Sequence, residues 1–305
     1  MPNRMNRLIV IVGPTAVGKT QASIRLAKIL KTEIISADSR QVYSEMEIGT
    51  AKPTRAELSS VKHHFINCRS IHENYDAGIY ATEVEEVWTK LFNSYNTLIM
   101  VGGSGLYIKS ALEGFSSIPR VPTEIRTKII SEYKQKGLQW LQSEVKNLDS
   151  DYFQKVDTQN PQRLMRSLEV IWATNRKYSS FLNKKNRKLP FEIIKIGLNI
   201  EKEDANKKIE DRVDKMISDG LFEEALKLLP FQHLNALNTV GYKEIFAFFN
   251  HIHDRSEAIR LIKQNSRHFA KRQMTWFKKD PAIQWVNPNN FNSLLEIINQ
   301  KPKEL

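Results

Sequence analysis

Hydrophobic positions along the chain follow two periods, and the switch between them outlines a fold. Leu8-Ile-Val-Ile-Val12 is an unbroken apolar run, mostly β-branched, that meets a glycine at once, as a parallel strand buried on both faces does. Residues 18–30 change to helical spacing, with Ile24, Leu26, Ala27 and Leu30 as the apolar positions. Strands at 33–37 and 97–101 enclose a helical stretch at 79–95. Strands alternating with helices predict an α/β protein, a P-loop NTPase-like parallel sheet flanked by helices.

From about residue 121 to 176 the pattern is wholly helical, with helices expected at 123–136, 138–148 and 161–173. The last opens with an Asn160 cap followed by proline at the first helical position. Strand-like residues return at 191–200, so the helical stretch reads as an all-helical insertion between two strands of one sheet. The expected division is a core of residues 1–120 plus 189–305, carrying C-terminal helices, and an insertion at 121–188. Further helices are expected at 204–218, 222–229 and about 255–279.

Charge changes this picture. The net charge is +12, and eight of those charges fall within residues 120–200, which hold 16 basic and 8 acidic side chains. Residues 176–188 alone hold six basic and no acidic residues, and read as a basic loop. A basic segment between nearly neutral ones is the footprint of a polyanion-binding surface, although solubility alone also produces such charge. Composition excludes more than it identifies. With 41% hydrophobic and 26% charged residues over 305 positions, the chain is a folded protein of one large or two ordinary domains. No apolar run approaches the ~20 residues of a membrane span and no basic-then-apolar leader precedes the first strand, so a cytoplasmic location with no membrane role is expected. Cys68 is the single cysteine, which excludes an internal disulfide and the multi-cysteine zinc patterns. His63-His64 and His251-x-His253 lack further ligands at metal-site spacing, and no transition metal is expected.

Candidate chemistry gathers where the predicted strands end. Gly13, Pro14, Thr15, Ala16, Val17, Gly18, Lys19 and Thr20 match G-x-x-x-x-G-K-[ST] between a strand and a helix. The glycines let successive amides and the helix N-terminus face a phosphate, Lys19 adds a point charge, and the Thr20 hydroxyl would ligate Mg²⁺. By motif this is also a nucleotide- or ATP-binding loop. Asp38-Ser39 follows the second strand, where a carboxylate could accept a proton or serve equally as a turn or helix cap. Gly102-Gly-Ser-Gly105-Leu-Tyr107 follows the third, offering close backbone approach and the Ser104 hydroxyl. No acidic residue ends the 97–101 strand, where a P-loop ATPase places its metal-binding aspartate. Arg260, Lys263, Arg267, Lys271 and Lys278 fall within about 80° on one helical face, with Ala258, Ile262, Phe269 and Trp276 opposite, so that helix should dock by its apolar face and offer cations on the other. Gln162, Arg163 and Arg166 begin a helix in the insertion and are candidates for phosphate contacts. On these residues alone a P-loop kinase with a helical lid and a non-catalytic RNA-binding module both stay open. The second leaves the P-loop, Asp38 and the Gly102–Gly105 turn unexplained.

Seven strings in order, from about Leu8 to Trp285, carry a family resemblance. They are the P-loop, Ile35-Ser-Ala-Asp-Ser39 continuing to Tyr43, Ile48-Gly-Thr-Ala-Lys-Pro53, Val101-Gly-Gly-Ser-Gly-Leu-Tyr107, Pro161-Gln-Arg-Leu-Met-Arg166, Val240-Gly-Tyr242 and Lys271-Arg-Gln-Met-Thr-Trp276. Together they resemble the bacterial-type tRNA dimethylallyltransferases of the IPP transferase family. The resemblance implies transfer of a dimethylallyl group from dimethylallyl diphosphate to N6 of adenosine 37 in tRNAs that read codons beginning with U. It implies a P-loop that holds the diphosphate with Mg²⁺, Asp38 as general base, Arg212 reaching the diphosphate, and Ser104, where the family usually has threonine, beside the reacting adenine. RNA contacts are implied from Asp38, Ser39, Arg40 and Gln41, from Ser104 and Arg126, and from Gln162, Arg163, Leu164, Met165 and Arg166. The C-terminal helix would add Lys271, Arg272, Gln273, Met274, Thr275, Trp276, Phe277 and Lys278. The insertion would grip the anticodon stem, the target base would be flipped out, and the enzyme would act as a monomer. Asn67 departs from the aspartate of many relatives, and no catalytic role is expected near His64.

Overall fold

The computed structural model describes residues 5–114, 118–119, 121–182 and 187–300. Two compact units divide the chain, Met1–Leu112 with Lys188–Leu305, and Glu113–Arg187. Elements run in the order β1 (Arg7–Val12), α1 (Lys19–Leu30), β2 (Ile34–Ser36), α2 (Arg55–Ser60), β3 (His63–His64), α3 (Ala77–Leu91), β4 (Thr97–Gly102) and α4 (Gly105–Glu113). The smaller unit follows with α5 (Thr123–Leu148), α6 (Ser150–Phe153) and α7 (Pro161–Thr174). The chain then returns to the larger unit through β5 (Glu192–Leu198), α8 (Lys202–Ser218), α9 (Leu221–Leu228), α10 (Tyr242–Phe249), α11 (Arg255–Phe277), β6 (Ile283–Val286) and α12 (Phe291–Asn299).

The six strands form one sheet in the order β3-β2-β4-β1-β5-β6, with every pairing parallel. β1 is central because both of its faces are apolar. Leu8, Val10 and Val12 enter one hydrophobic cluster and Ile9 and Ile11 the other, and full burial of each such side chain contributes roughly 1.5–3 kcal/mol. Leu8 lies opposite Leu98 of β4 and Ile193 of β5. Parallel strands bring all carboxyl ends to one edge, so the loops leaving β1, β2 and β4 collect there. Among the described residues no helix is long and apolar enough to cross a membrane.

In the smaller unit α5 is two helices that meet at Gly137, as expected from 123–136 and 138–148, and the φ of 73° there is one that only glycine adopts freely. Asn160 caps α7, its Oδ1 accepting the Arg163 amide at 3.3 Å, with Pro161 opening the helix. Leu164 and Met165 are buried with Ile129, Leu141 and Val145, so these two side chains offer RNA no surface. Residues 183–186 of the expected basic loop lie outside the described residues.

Several elements escaped the sequence pattern. β3 has two residues, too few to show a period, and α4 begins inside the Gly102–Gly105 turn. α12 buries Phe291, Leu294 and Ile298 on one stripe against the cluster that contains Ile9, and Arg25 of α1 stacks on Phe291 at 3.9 Å. The expected two faces of α11 need correction. Ala258 and Ile262 are buried, but Phe269, which lines an open cleft, and Trp276 are 40% and 39% exposed. The cationic face is also less free than expected. Lys263 pairs with Asp214 and Arg267 with Glu210, both at 2.6 Å, and Arg260 pairs with Glu257 at 2.7 Å.

Candidate active site

A cleft of about 760 Å³ opens at the carboxyl edge of the sheet, within the larger unit. Its first wall is the loop between β1 and α1. Gly13 (φ 150°) leaves no room for a Cβ, which would stand 2.7 Å from the Leu198 carbonyl oxygen, and Gly18 (φ 99°) turns the chain into α1. No side chain caps α1 and no acidic residue stands in its first turn, so its leading amides remain open to an anion. Lys19 Nζ donates to the Gly13 and Pro14 carbonyls at 3.0 and 2.7 Å. Enclosure by protein, with Arg212 of α8 adding repulsion, lowers the Lys19 pKa to about 7, while Asp38 pulls the other way. The Arg212 guanidinium is likewise lowered by desolvation, partly offset by Asp38. Cations that repel each other in an enclosed cleft form a site that favours a polyanion.

The second wall comes from the loops after β2 and β4. Asp38 Oδ1 accepts the amides of Arg40 at 2.9 Å and Gln41 at 3.3 Å, which fixes the carboxylate and leaves Oδ2 without a hydrogen bond among the described residues. Ser104 Oγ accepts the Ser39 amide at 2.9 Å and donates to Ser39 Oγ at 3.2 Å. Gly102 lies so close to Ala37 that a side chain there would strike its carbonyl, and this contact brings the two loops together. Arg40 donates to the carbonyls of Asn235 and Asn238 at 3.0 and 3.4 Å, and its guanidinium is therefore already engaged. Gln41 Nε2 donates to the Thr50 and Ala51 carbonyls, both at 3.2 Å.

Gln273 joins the walls. Its Oε1 accepts the Thr15 amide at 2.8 Å and its Nε2 donates to the Gly103 carbonyl at 3.0 Å. Gln273 braces the site from within while lining the cleft, and Phe277 is buried, so the Phe277 side chain is not presented to RNA. Lys271, Arg272, Thr275, Trp276 and Lys278 are exposed along α11, with Met274 half-buried between them. Arg272 also lines the cleft beside Phe269.

The structure thus gathers Thr15 to Thr20, Asp38 to Gln41, Ser104, Arg212, Arg272 and Gln273 around one cleft. Arg126, Gln162, Arg163 and Arg166 belong to the smaller unit, where Arg126 and Arg166 share the buried Glu169 carboxylate at 3.7 and 3.1 Å. Sequence reasoning missed Lys52 as a cleft residue, although the Gly-Thr-Ala-Lys-Pro string contained it. Burial lowers its pKa to about 8 against the pull of Glu47, Glu224, Glu45 and Asp38.

The model of the family described as IPP transferase matches residues 41–280. A tRNA dimethylallyltransferase from Christiangramia forsetii is 47% identical over 297 residues, covering 97% of this chain and 98% of the relative. Among solved structures, the full-length tRNA isopentenylpyrophosphate transferase of Bacillus halodurans superposes with a TM-score of 0.71 at 31% identity, over 96% of this chain and 95% of that one. A eukaryotic dimethylallyltransferase acting on tRNA superposes with a TM-score of 0.77 at 25% identity, over 96% of this chain and 78% of that one.

Proposed function

The chain belongs to the IPP transferase family and is an enzyme of the tRNA dimethylallyltransferase type, and from that premise we propose that it alkylates N6 of adenosine 37, beside the anticodon, in tRNAs reading codons that begin with U, with Asp38 as general base. One observation supports Asp38 as the base: its carboxylate shares a cleft with Lys19 and Arg212, and its Oδ2 makes no hydrogen bond among the described residues.

In this reading the diphosphate of the donor lies on the open amides of α1, with Lys19 and Arg212 drawing off the charge that develops as the C1–O bond breaks. The adenine N6 forms the new bond to C1, diphosphate leaves, and the proton displaced from N6 passes to Asp38 Oδ2. Ser104 keeps Ser39, and with it the Asp38 carboxylate, in place. A base in an anticodon loop reaches such a cleft only when flipped out of its stack. Exposed α11 cations such as Lys271 and Lys278, and Arg163 on the smaller unit, would meet RNA phosphates.

The donor set also fits Mg²⁺. The Thr20 hydroxyl lines the cleft and makes no side-chain hydrogen bond among the described residues, while no group of three His, Cys, Asp or Glu there could hold a metal by itself. A hard cation that keeps its waters and leans on substrate phosphates requires only one or two protein oxygens. When bound, it would supply charge neutralisation at the leaving diphosphate. The phosphoryl-transfer alternative has less support, because β4 ends in glycine where a kinase needs its acid.

The test is incubation with Mg²⁺, dimethylallyl diphosphate and unmodified tRNA carrying adenosines at positions 36 to 38, then digestion and mass analysis. N6-(dimethylallyl)adenosine that disappears in Asp38→Ala is the expected result. ATP hydrolysis with a small acceptor and no modified nucleoside would overturn the reading.

A further inference from the structure

Two sequence strings have so far had no task, Gly49-Thr-Ala-Lys-Pro53 and Val240-Gly-Tyr242. They meet at one side chain. The Glu224 carboxylate of α9 accepts three consecutive backbone amides, those of Glu47 at 3.0 Å and Ile48 at 2.8 Å on Oε2 and that of Gly49 at 3.0 Å on Oε1. The Tyr242 hydroxyl donates to the same Oε1 at 2.5 Å. Gly49 is glycine because the Tyr242 ring occupies the space its Cβ would fill. Tyr242 is itself fixed, since its neighbour Gly241 donates its amide to Glu244 Oε2 at 2.8 Å and Asn265 of α11 holds the other oxygen at 2.7 Å. Four donors meet on one carboxylate, and charge-assisted bonds of this kind hold geometry closely.

The held segment is a wall of the cleft. Gly49 to Pro53 line it, the Thr50 and Ala51 carbonyls receive the Gln41 side chain, and the Gln41 amide is bound by Asp38 Oδ1. A continuous run of hydrogen bonds and covalent chain therefore leads from α9, outside the chemistry, to the general base. The P-loop is not part of this run.

We propose that Glu224 is a positioning residue for the acceptor side of the reaction: with Tyr242 it sets the Gly49–Pro53 wall, and through Gln41 the Asp38 carboxylate, to receive the flipped adenine. The proposal rests on the reading of Asp38 as the base that faces adenine. Its signature is a split between substrates. A general loosening would lower the active fraction and reduce turnover alike for both, whereas a displaced acceptor wall should weaken use of tRNA and leave the diphosphate side intact.

The experiment compares Glu224→Gln and the milder Tyr242→Phe with the unaltered enzyme, measuring KM for tRNA, KM for dimethylallyl diphosphate, and direct binding of inorganic diphosphate by calorimetry. An amide in place of the carboxylate keeps one acceptor oxygen and loses the other, so KM for tRNA should rise about tenfold in Glu224→Gln and about threefold in Tyr242→Phe. Diphosphate affinity should stay within about twofold of the unaltered enzyme in both. Equal losses on both substrates, or no change in either variant, would overturn the proposal. If the unaltered enzyme transferred nothing to tRNA, the functional reading would fail and this inference with it; if it transferred normally while both variants matched it, the inference alone would fail.

Discussion

The two walls of the cleft are built in opposite ways. The wall proposed to face phosphate is a single run, Gly13 to Thr20, whose working parts are mostly backbone amides and one lysine, braced by the local turn and by the start of α1. The wall proposed to face the acceptor is assembled from the 38–41 loop, the 49–53 loop, Ser104, Glu224 and Tyr242, joined by side-chain hydrogen bonds between segments distant in sequence. A site for a common anion can be made from a local motif. A site that must meet one base in one orientation draws on distant elements, so its precision depends on tertiary structure.

The sharpest way to break this comparison is Asp38→Ala. Transfer should fall about a thousandfold while tRNA affinity in a filter-binding assay changes little, as expected for loss of a proton acceptor rather than of a surface. Next in size, Lys19→Ala should weaken diphosphate binding about a hundredfold and spare tRNA binding. Calorimetry that found both substrates equally affected would mean that the walls are not separate. Gln273→Ala touches both walls, so kcat/KM should drop about tenfold for each substrate together, the one variant for which a split is not expected. A subtler effect follows from protonation. Lys19, with its pKa near 7, is mostly neutral in the empty cleft at pH 8 and must regain its proton beside a polyanion, so diphosphate binding at pH 8 should take up a fraction of a proton that vanishes by pH 6. Repeating the calorimetry in buffers of different ionisation enthalpy reads this directly. The smallest effect concerns α11: Lys271→Ala should reduce the salt slope of tRNA binding by about one, whereas Lys263→Ala, already paired with Asp214, should barely alter it.

The same contrast explains what the sequence revealed. β1, α1 and the P-loop were legible because their signals are local: an apolar run, helical spacing, two glycines and a lysine. The helices of the smaller unit and the break at Gly137 were legible for the same reason. The pairing of Glu224 with residues 47–49 was not, since a glutamate on an amphipathic helix looks the same whether it faces water or gathers amides from a distant loop. Phe269 and Trp276 misled in the other direction. Their helical phase places them on the apolar stripe, but only the tertiary fold shows that both stay partly exposed, Phe269 in the wall of the cleft. Family resemblance supplied roles that spacing could not, yet it also offered Leu164, Met165 and Phe277 to RNA, and the fold keeps these inside.

The strand order has a consequence for how the chain is made. β1 is the middle of the sheet, and its neighbour on one side, β5, lies beyond the whole Glu113–Arg187 unit in sequence. On a ribosome that adds ~5–20 residues each second, the stretch between β4 and β5 takes roughly 5–20 s to emerge. Throughout that interval Leu8-Ile-Val-Ile-Val12 has one bare edge, an unpaired and strongly apolar ribbon of the kind that recruits other strands. The smaller unit has its own core and can close while β1 waits. Synthesis rate, or a chaperone acting within that window, should therefore govern the yield of native protein more than the stability of the finished fold does.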